Sequence, residues 1–162
     1  MDERELEQLA QQVAHLMSHK GLKLVSAESC TGGWVGQVVT AVPGSSAWYV
    51  GGFITYANEA KQDWLGVQSA TLALHGAVSE AVVTEMAGGA LQRGRADIAL
   101  AISGVAGPGG GTAEKPVGTV CLAWARRDGL QLATTCRFDG DRHEVRMRSV
   151  AAALRGVIEL LN

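Results

Sequence analysis

Two residues of this chain have the side-chain types for hydrolytic chemistry and the local settings to use them. The first is Ser29, in Leu24-Val-Ser-Ala-Glu-Ser-Cys-Thr-Gly-Gly33, where an apolar run leads into a glycine-bearing turn and then a helical pattern. That order puts its hydroxyl at the end of a strand, beside the free N–H groups of a helix N-terminus. Such groups bind an anion, or hold a carbonyl oxygen that gains negative charge during attack. A hydroxyl attacks an amide only when something removes its proton. Lys61, in Tyr56-Ala-Asn-Glu-Ala-Lys61, is the candidate base. Its pKa must then fall from ~10.4 to around 7–8, about 4 kcal/mol against the charged form, which requires a dry pocket. The competing readings are a polar-capped turn at Ser29 and a solvated lysine at position 61. Cys30 is an internal rival, because a thiol at a helix N-terminus can be activated.

A third segment, Ser103-Gly-Val-Ala-Gly-Pro-Gly-Gly-Gly-Thr112 with Lys115-Pro-Val-Gly118, holds five glycines at positions 104, 107, 109, 110 and 111. That density suits a loop whose backbone N–H groups wrap an anion such as a phosphate. It lacks the Gly-Lys-Ser/Thr of a P-loop and the following helix of a dinucleotide fingerprint. Arg142, Arg146 and Arg148 open the last helical pattern, where cations oppose the helix dipole. They serve an outside anion or pair with Asp139, Asp141 and Glu144. His15, His19, His75 and His143 show no metal-ligand spacing, so no metal is expected.

The elements that must carry these residues follow from periodicity. Leu6, Leu9, Ala10, Val13, Leu16 and Met17 recur at helical spacing within Asp2 to Lys20, and Gly21 stops the pattern. Leu22 to Ala27 reads as a strand, and Thr31 to Val42 as a helix capped by Thr31. Trp48 to Tyr56 reads as a strand, followed by a helical turn over Asn58 to Leu65 that carries Lys61. A helix from Ser79 to about Gly94 contains Gly88-Gly89, about 1 kcal/mol per residue worse than Ala, which implies close packing. Ile98 to Ile102 has the continuous apolar character of a covered strand. Val117 to Ala125 and Leu132 to Phe138 form a hairpin through Arg127-Asp128-Gly129. A final amphipathic helix runs from Asp141 or Arg142 to Leu161. Helices interleaved with about five strands, two of them in a hairpin, predict an α/β fold with a mixed sheet.

With 162 residues, 47% of them hydrophobic and 19% charged, the chain reads as one globular domain. A net charge of -2 gives no basic footprint for nucleic acid or an anionic membrane. No apolar stretch approaches the ~18 residues of a membrane span, and the acidic N-terminus is unlike a signal peptide. Three cysteines in no metal-binding pattern fit reduced thiols and a cytoplasmic protein.

Together, Ser26-Ala-Glu-Ser-Cys-Thr-Gly-Gly33, Tyr56-Ala-Asn-Glu-Ala-Lys61, Gly76-Ala-Val-Ser-Glu80 and the glycine loop with Lys115-Pro-Val-Gly-Thr119 resemble the CinA C-terminal domain family, the nicotinamide-nucleotide amidases. The resemblance covers nearly the whole chain and implies the stand-alone form of this domain. It implies a three-layer α/β/α fold with about five to six strands. It also implies hydrolysis of nicotinamide mononucleotide to nicotinic acid mononucleotide and ammonia, through a Ser29–Lys61 dyad helped by Tyr56. Cys30, Thr31, Gly32, Gly33 and Asn58 fall where oxyanion or substrate contacts are expected. Gly104, Gly107, Gly109, Gly110, Gly111, Thr112 and Arg142 fall at the expected phosphate site. No cofactor is required, because hydrolysis needs only water. The family usually has serine where this chain has Ala57. A homodimer is compatible with this reading, as are a non-catalytic nucleotide-binding module and an amidase for another pyridine or nucleotide amide.

Overall fold

The computed structural model describes residues 1–162. Six α-helices and five strands follow one another in the order α1 (Glu3–Lys20), β1 (Leu24–Glu28), α2 (Trp34–Thr40), β2 (Tyr49–Ile54), α3 (Asn58–Leu65), α4 (Ser69–His75), α5 (Glu80–Gly94), β3 (Ile98–Gly104), β4 (Thr119–Arg126), β5 (Gln131–Arg137) and α6 (Arg142–Leu161). The sheet order is β2-β1-β3-β4-β5. β1 runs parallel to β2 and β3, while β4 is antiparallel to both β3 and β5. The expected mixed sheet and three-layer α/β/α architecture are present, with α1, α2 and α6 on one face and α5, flanked by α3 and α4, on the other.

Alternation along the strands sorts the core by size, because successive side chains point to opposite faces. Ile98, Leu100, Ile102, Leu122 and Trp124 face the α1–α6 layer. Ala99, Ala101, Ala123 and Ala125 face α5. The thin alanine side lets α5 lie close to the sheet and leaves room for α3 behind it. Gly89 explains why one of the paired glycines is needed. A Cβ there would lie 1.9 Å from the Leu65 carbonyl oxygen at the end of α3, whereas Gly88 meets only Gln131, 4.0 Å away. Lys61 sits one turn before Leu65, so this close approach fixes the helix that carries the candidate base.

Two local expectations are corrected. The helix expected over Thr31 to Val42 occupies only Trp34–Thr40, and Thr31 does not cap it. The cap position is Gly33, at φ 101, which has no side chain to offer. In addition, α4 and a short 3-10 turn over Ser45–Ala47 fill stretches without a periodic signal. No residue of α4 is fully buried, and only Leu72 packs against the core from it. No helix is long and apolar enough to cross a membrane.

Candidate active site

The connections leaving β1 and β3 diverge, one toward β2 and the other toward β4. In open α/β sheets the crevice between such neighbouring strands, beyond their C-terminal ends, is where ligands bind. Ser29 follows β1 there, and its N–H donates to Ile102 O of β3 at 3.0 Å. A cavity of about 200 Å³ opens at this point, lined by Ser29, Cys30, Tyr56, Lys61, Ala77, Val78, Ser103, Gly104, Ala106 and Arg142.

Lys61 is 1% exposed. Its Nζ lies 3.0 Å from Ser29 Oγ, 2.7 Å from Thr55 O and 3.0 Å from Tyr56 O. Burial disfavours the ammonium and lowers the lysine pKa from its ordinary value. No carboxylate forms a salt bridge with it to restore the charge. The three contacts are chemically unequal. Thr55 O and Tyr56 O are carbonyls and only accept, so they take the two N–H bonds of a neutral amine. The remaining lone pair then faces Ser29, the one partner whose hydroxyl can donate. Deprotonated Lys61 is thus oriented toward the serine proton.

The turn after Ser29 is held from within the fold. Glu28 ends β1 at 1% exposure. Its carboxylate accepts from Thr31 Oγ1 at 2.6 Å and from Gly33 N, Val35 N and Gly36 N at 3.2, 3.0 and 3.3 Å. Glu28 therefore occupies the N-terminus of α2, and the free helix donors expected beside Ser29 are already used. Gly32 N donates to Ser29 O and Trp34 N to Thr31 O. The N–H groups of Cys30 and Thr31, one and two residues after the serine, remain without a protein acceptor. Gly32 and Gly33, at φ 60 and 101, supply the left-handed backbone of this turn.

Burial in the same place acts against the rival nucleophile, pushing the Cys30 thiol up to about 11. At neutral pH it stays a poorly nucleophilic thiol.

The remaining expected positions divide. Tyr56 stands on the cavity wall at 65% exposure, and Gly104 and Arg142 line it too. Asn58 begins α3 at the exposed surface and lines no part of the cavity. Gly107 borders an adjoining cavity of about 420 Å³ that shares Ala106 and Arg142 with the first. Gly109, Gly110, Gly111 and Thr112 border neither. Part of the glycine requirement is steric, since a Cβ at Gly107 or Gly111 would approach Val117 to 2.5 and 2.6 Å. Arg142 Nη1 donates to Gly107 O at 2.7 Å and ties the loop to α6. Of the carboxylates expected near the arginines, Asp141 and Glu144 form a capping box for α6, and none makes a salt bridge with Arg142, Arg146 or Arg148. No group of His, Cys, Asp and Glu side chains could hold a metal ion.

Sequence reasoning missed Glu28 and Ser103, and it offered Arg146 to an outside anion or a carboxylate where the structure gives it the carbonyls of Cys30 and Thr31. Ser103 is 2% exposed, at the end of β3. The strand end of a covered sheet was the available signal for it.

Residues 6–161 match the model of the CinA C-terminal domain. The chain belongs to that family. It is 53% identical over 155 residues to the nicotinamide-nucleotide amidohydrolase PncC of Escherichia coli strain K12, covering 96% of this chain and 94% of that one. It is 49% identical over 154 residues to a CinA-like protein of Chlorobaculum tepidum, covering 93% of this chain but 36% of that longer protein. Among solved structures, the competence/damage inducible protein CihA of Agrobacterium tumefaciens superposes with a TM-score of 0.95 at 46% identity, covering 98% of this chain and 96% of that one.

Proposed function

We propose that this family member hydrolyses the carboxamide of nicotinamide mononucleotide through a Ser29–Lys61 dyad. The observation that carries this reading is the contact between Lys61 Nζ and Ser29 Oγ at 3.0 Å, made by a buried lysine whose other two partners are carbonyls. The similarity to PncC along almost its whole length supports the substrate.

Neutral Lys61 takes the Ser29 proton, and Oγ bonds to the carboxamide carbon. The carbonyl oxygen, now negative, accepts from Cys30 N–H and Thr31 N–H. The Lys61 ammonium returns its proton to the amide nitrogen as the C–N bond breaks and ammonia leaves. A water molecule then attacks the ester carbon with Lys61 again as base. The new C–O bond replaces the bond to Ser29, releasing the acid and the free serine. Tyr56, on the cavity wall, helps to orient the leaving nitrogen. The cavity at the dyad suits a nicotinamide ring, and its neighbour across Arg142 suits the ribose phosphate, with Arg142 as the cation for the phosphate. The substrate's pyridinium charge withdraws electrons from the carboxamide and eases attack on it.

The test is ammonia release from nicotinamide mononucleotide by the purified chain and by Ser29→Ala, Lys61→Ala and Cys30→Ala. Turnover in wild-type and Cys30→Ala, and its loss in the other two, is expected. Folded wild-type protein that releases no ammonia removes the substrate assignment. Turnover that survives Ser29→Ala but not Cys30→Ala moves the nucleophile to the thiol.

A further inference from the structure

The functional reading leaves Arg146 of α6 without a role. Arg146 has no carboxylate partner and lines neither cavity at the site. Its guanidinium instead reaches back 116 residues, with Nε donating to Cys30 O at 3.0 Å. Nη2 donates to Thr31 O at 3.1 Å. The Trp34 ring packs against the same group, with its centroid 5.4 Å from Cζ.

The peptide unit that carries Cys30 O at one end carries Thr31 N–H at the other. That N–H is one of the two unclaimed donors beside Ser29. A cation bonded to the carbonyl oxygen draws electron density through the amide and makes its N–H a stronger donor. The planar fork bonds the carbonyls of two successive peptides, Cys30–Thr31 and Thr31–Gly32, and so fixes the backbone on both sides of Thr31. Glu28 grips the N–H groups farther along the turn while Arg146 grips these carbonyls, so the Cys30–Thr31 peptide is held from outside the cavity.

We infer that Arg146 is a positioning residue that orients and polarises the Thr31 N–H for the oxyanion, without touching substrate. The inference rests on the Ser29 reading. It assigns Arg146 to the nucleophile's backbone and leaves the substrate phosphate to Arg142.

An oxyanion donor that is weakened or rotated affects the transition state more than the bound substrate. For Arg146→Ala, kcat on nicotinamide mononucleotide falls about 10- to 100-fold, about 1.4–2.7 kcal/mol, with KM within about twofold of wild-type. Non-denaturing guanidinium restores part of kcat to Arg146→Ala without shifting its melting temperature. Arg146→Lys keeps the charge but offers one ammonium for two carbonyls, and kcat falls about tenfold. Phosphonylation of Ser29 by a fluorophosphonate, whose phosphoryl oxygen needs the same donors, slows in parallel.

Wild-type kcat in folded Arg146→Ala overturns the inference, as does a raised KM at unchanged kcat, which would make Arg146 a substrate contact. If Arg146→Ala does not fold, Arg146→Lys decides: a tenfold loss at unchanged KM supports the role, and wild-type kcat overturns it. Failure of the underlying reading looks different, with wild-type protein unlabelled at Ser29 or Ser29→Ala still turning over.

Discussion

Replacing Glu28 by glutamine tests whether the candidate nucleophile's turn is built on a buried carboxylate. The side chain keeps its shape, and its carbonyl oxygen can keep the bonds from Thr31 Oγ1, Gly33 N and Val35 N, as Oε1 does now. The amide nitrogen must then stand where Oε2 accepts from Gly36 N at 3.3 Å, setting donor against donor. An orphaned buried N–H costs about 1–3 kcal/mol, and loss of the negative charge at the start of α2 adds about 1 kcal/mol. The sum is about 2–4 kcal/mol. A 162-residue chain unfolds with an entropy near 0.34 kcal/mol/K, so the melting temperature should fall by about 6–12 °C. The turn that presents Cys30 N–H and Thr31 N–H loosens with it, and kcat should drop about tenfold while substrate affinity changes little. Differential scanning calorimetry and steady-state kinetics on the same preparation read both effects. A melting temperature within about 2 °C of wild-type would refute the reasoning, because the carboxylate would then contribute nothing that an amide cannot.

Lys61 should make stability depend on pH in a known direction. Its folded pKa lies below the ordinary 10.5, so between those two values the unfolded chain binds more protons than the folded one. Stability therefore rises with pH across that window, by up to about 1.4 kcal/mol per pH unit, and the burial penalty is fully present below it. Urea titrations of wild-type and Lys61→Met should diverge accordingly, and parallel profiles would exclude a depressed lysine. The kcat/KM of wild-type should rise with pH up to the folded pKa of Lys61, as the base loses its proton, and level off within that window. Ala57 is the cap residue of α3 and has no side chain that can accept from its first N–H groups. Ala57→Ser should supply that bond and stabilise the fold by about 1 kcal/mol, raising the melting temperature by about 3 °C without loss of turnover. An unchanged melting temperature would show that solvent already satisfies the end of α3.

What the sequence disclosed about the fold and the site, and what it hid, follows from the kind of partner each residue has. The pairing of Ser29 with Lys61 was legible because both side-chain types stand out at the ends of two recognisable elements, and they meet at 3.0 Å. The mixed sheet was legible because Ile98 to Ile102 reads as a strand covered on both faces, and Arg127-Asp128-Gly129 reads as a hairpin turn. Glu28 was missed because an acidic residue at a strand end reads as exposed, whereas here it replaces the cap that Gly33 cannot provide. A helix start with no capping side chain, one residue after a glycine pair begins, was the usable signal. In the glycine loop the signal has a second source: Gly107 and Gly111 make room for Val117, a contact set by where the returning chain lies. Arg146 shows the general reason. Its partners are two backbone carbonyls, and every residue in a chain has one, so no residue type marks the place. Side chains that act on other side chains leave a pattern in sequence. Those that act on the backbone become visible only when the fold brings the α6 helix against the turn after β1.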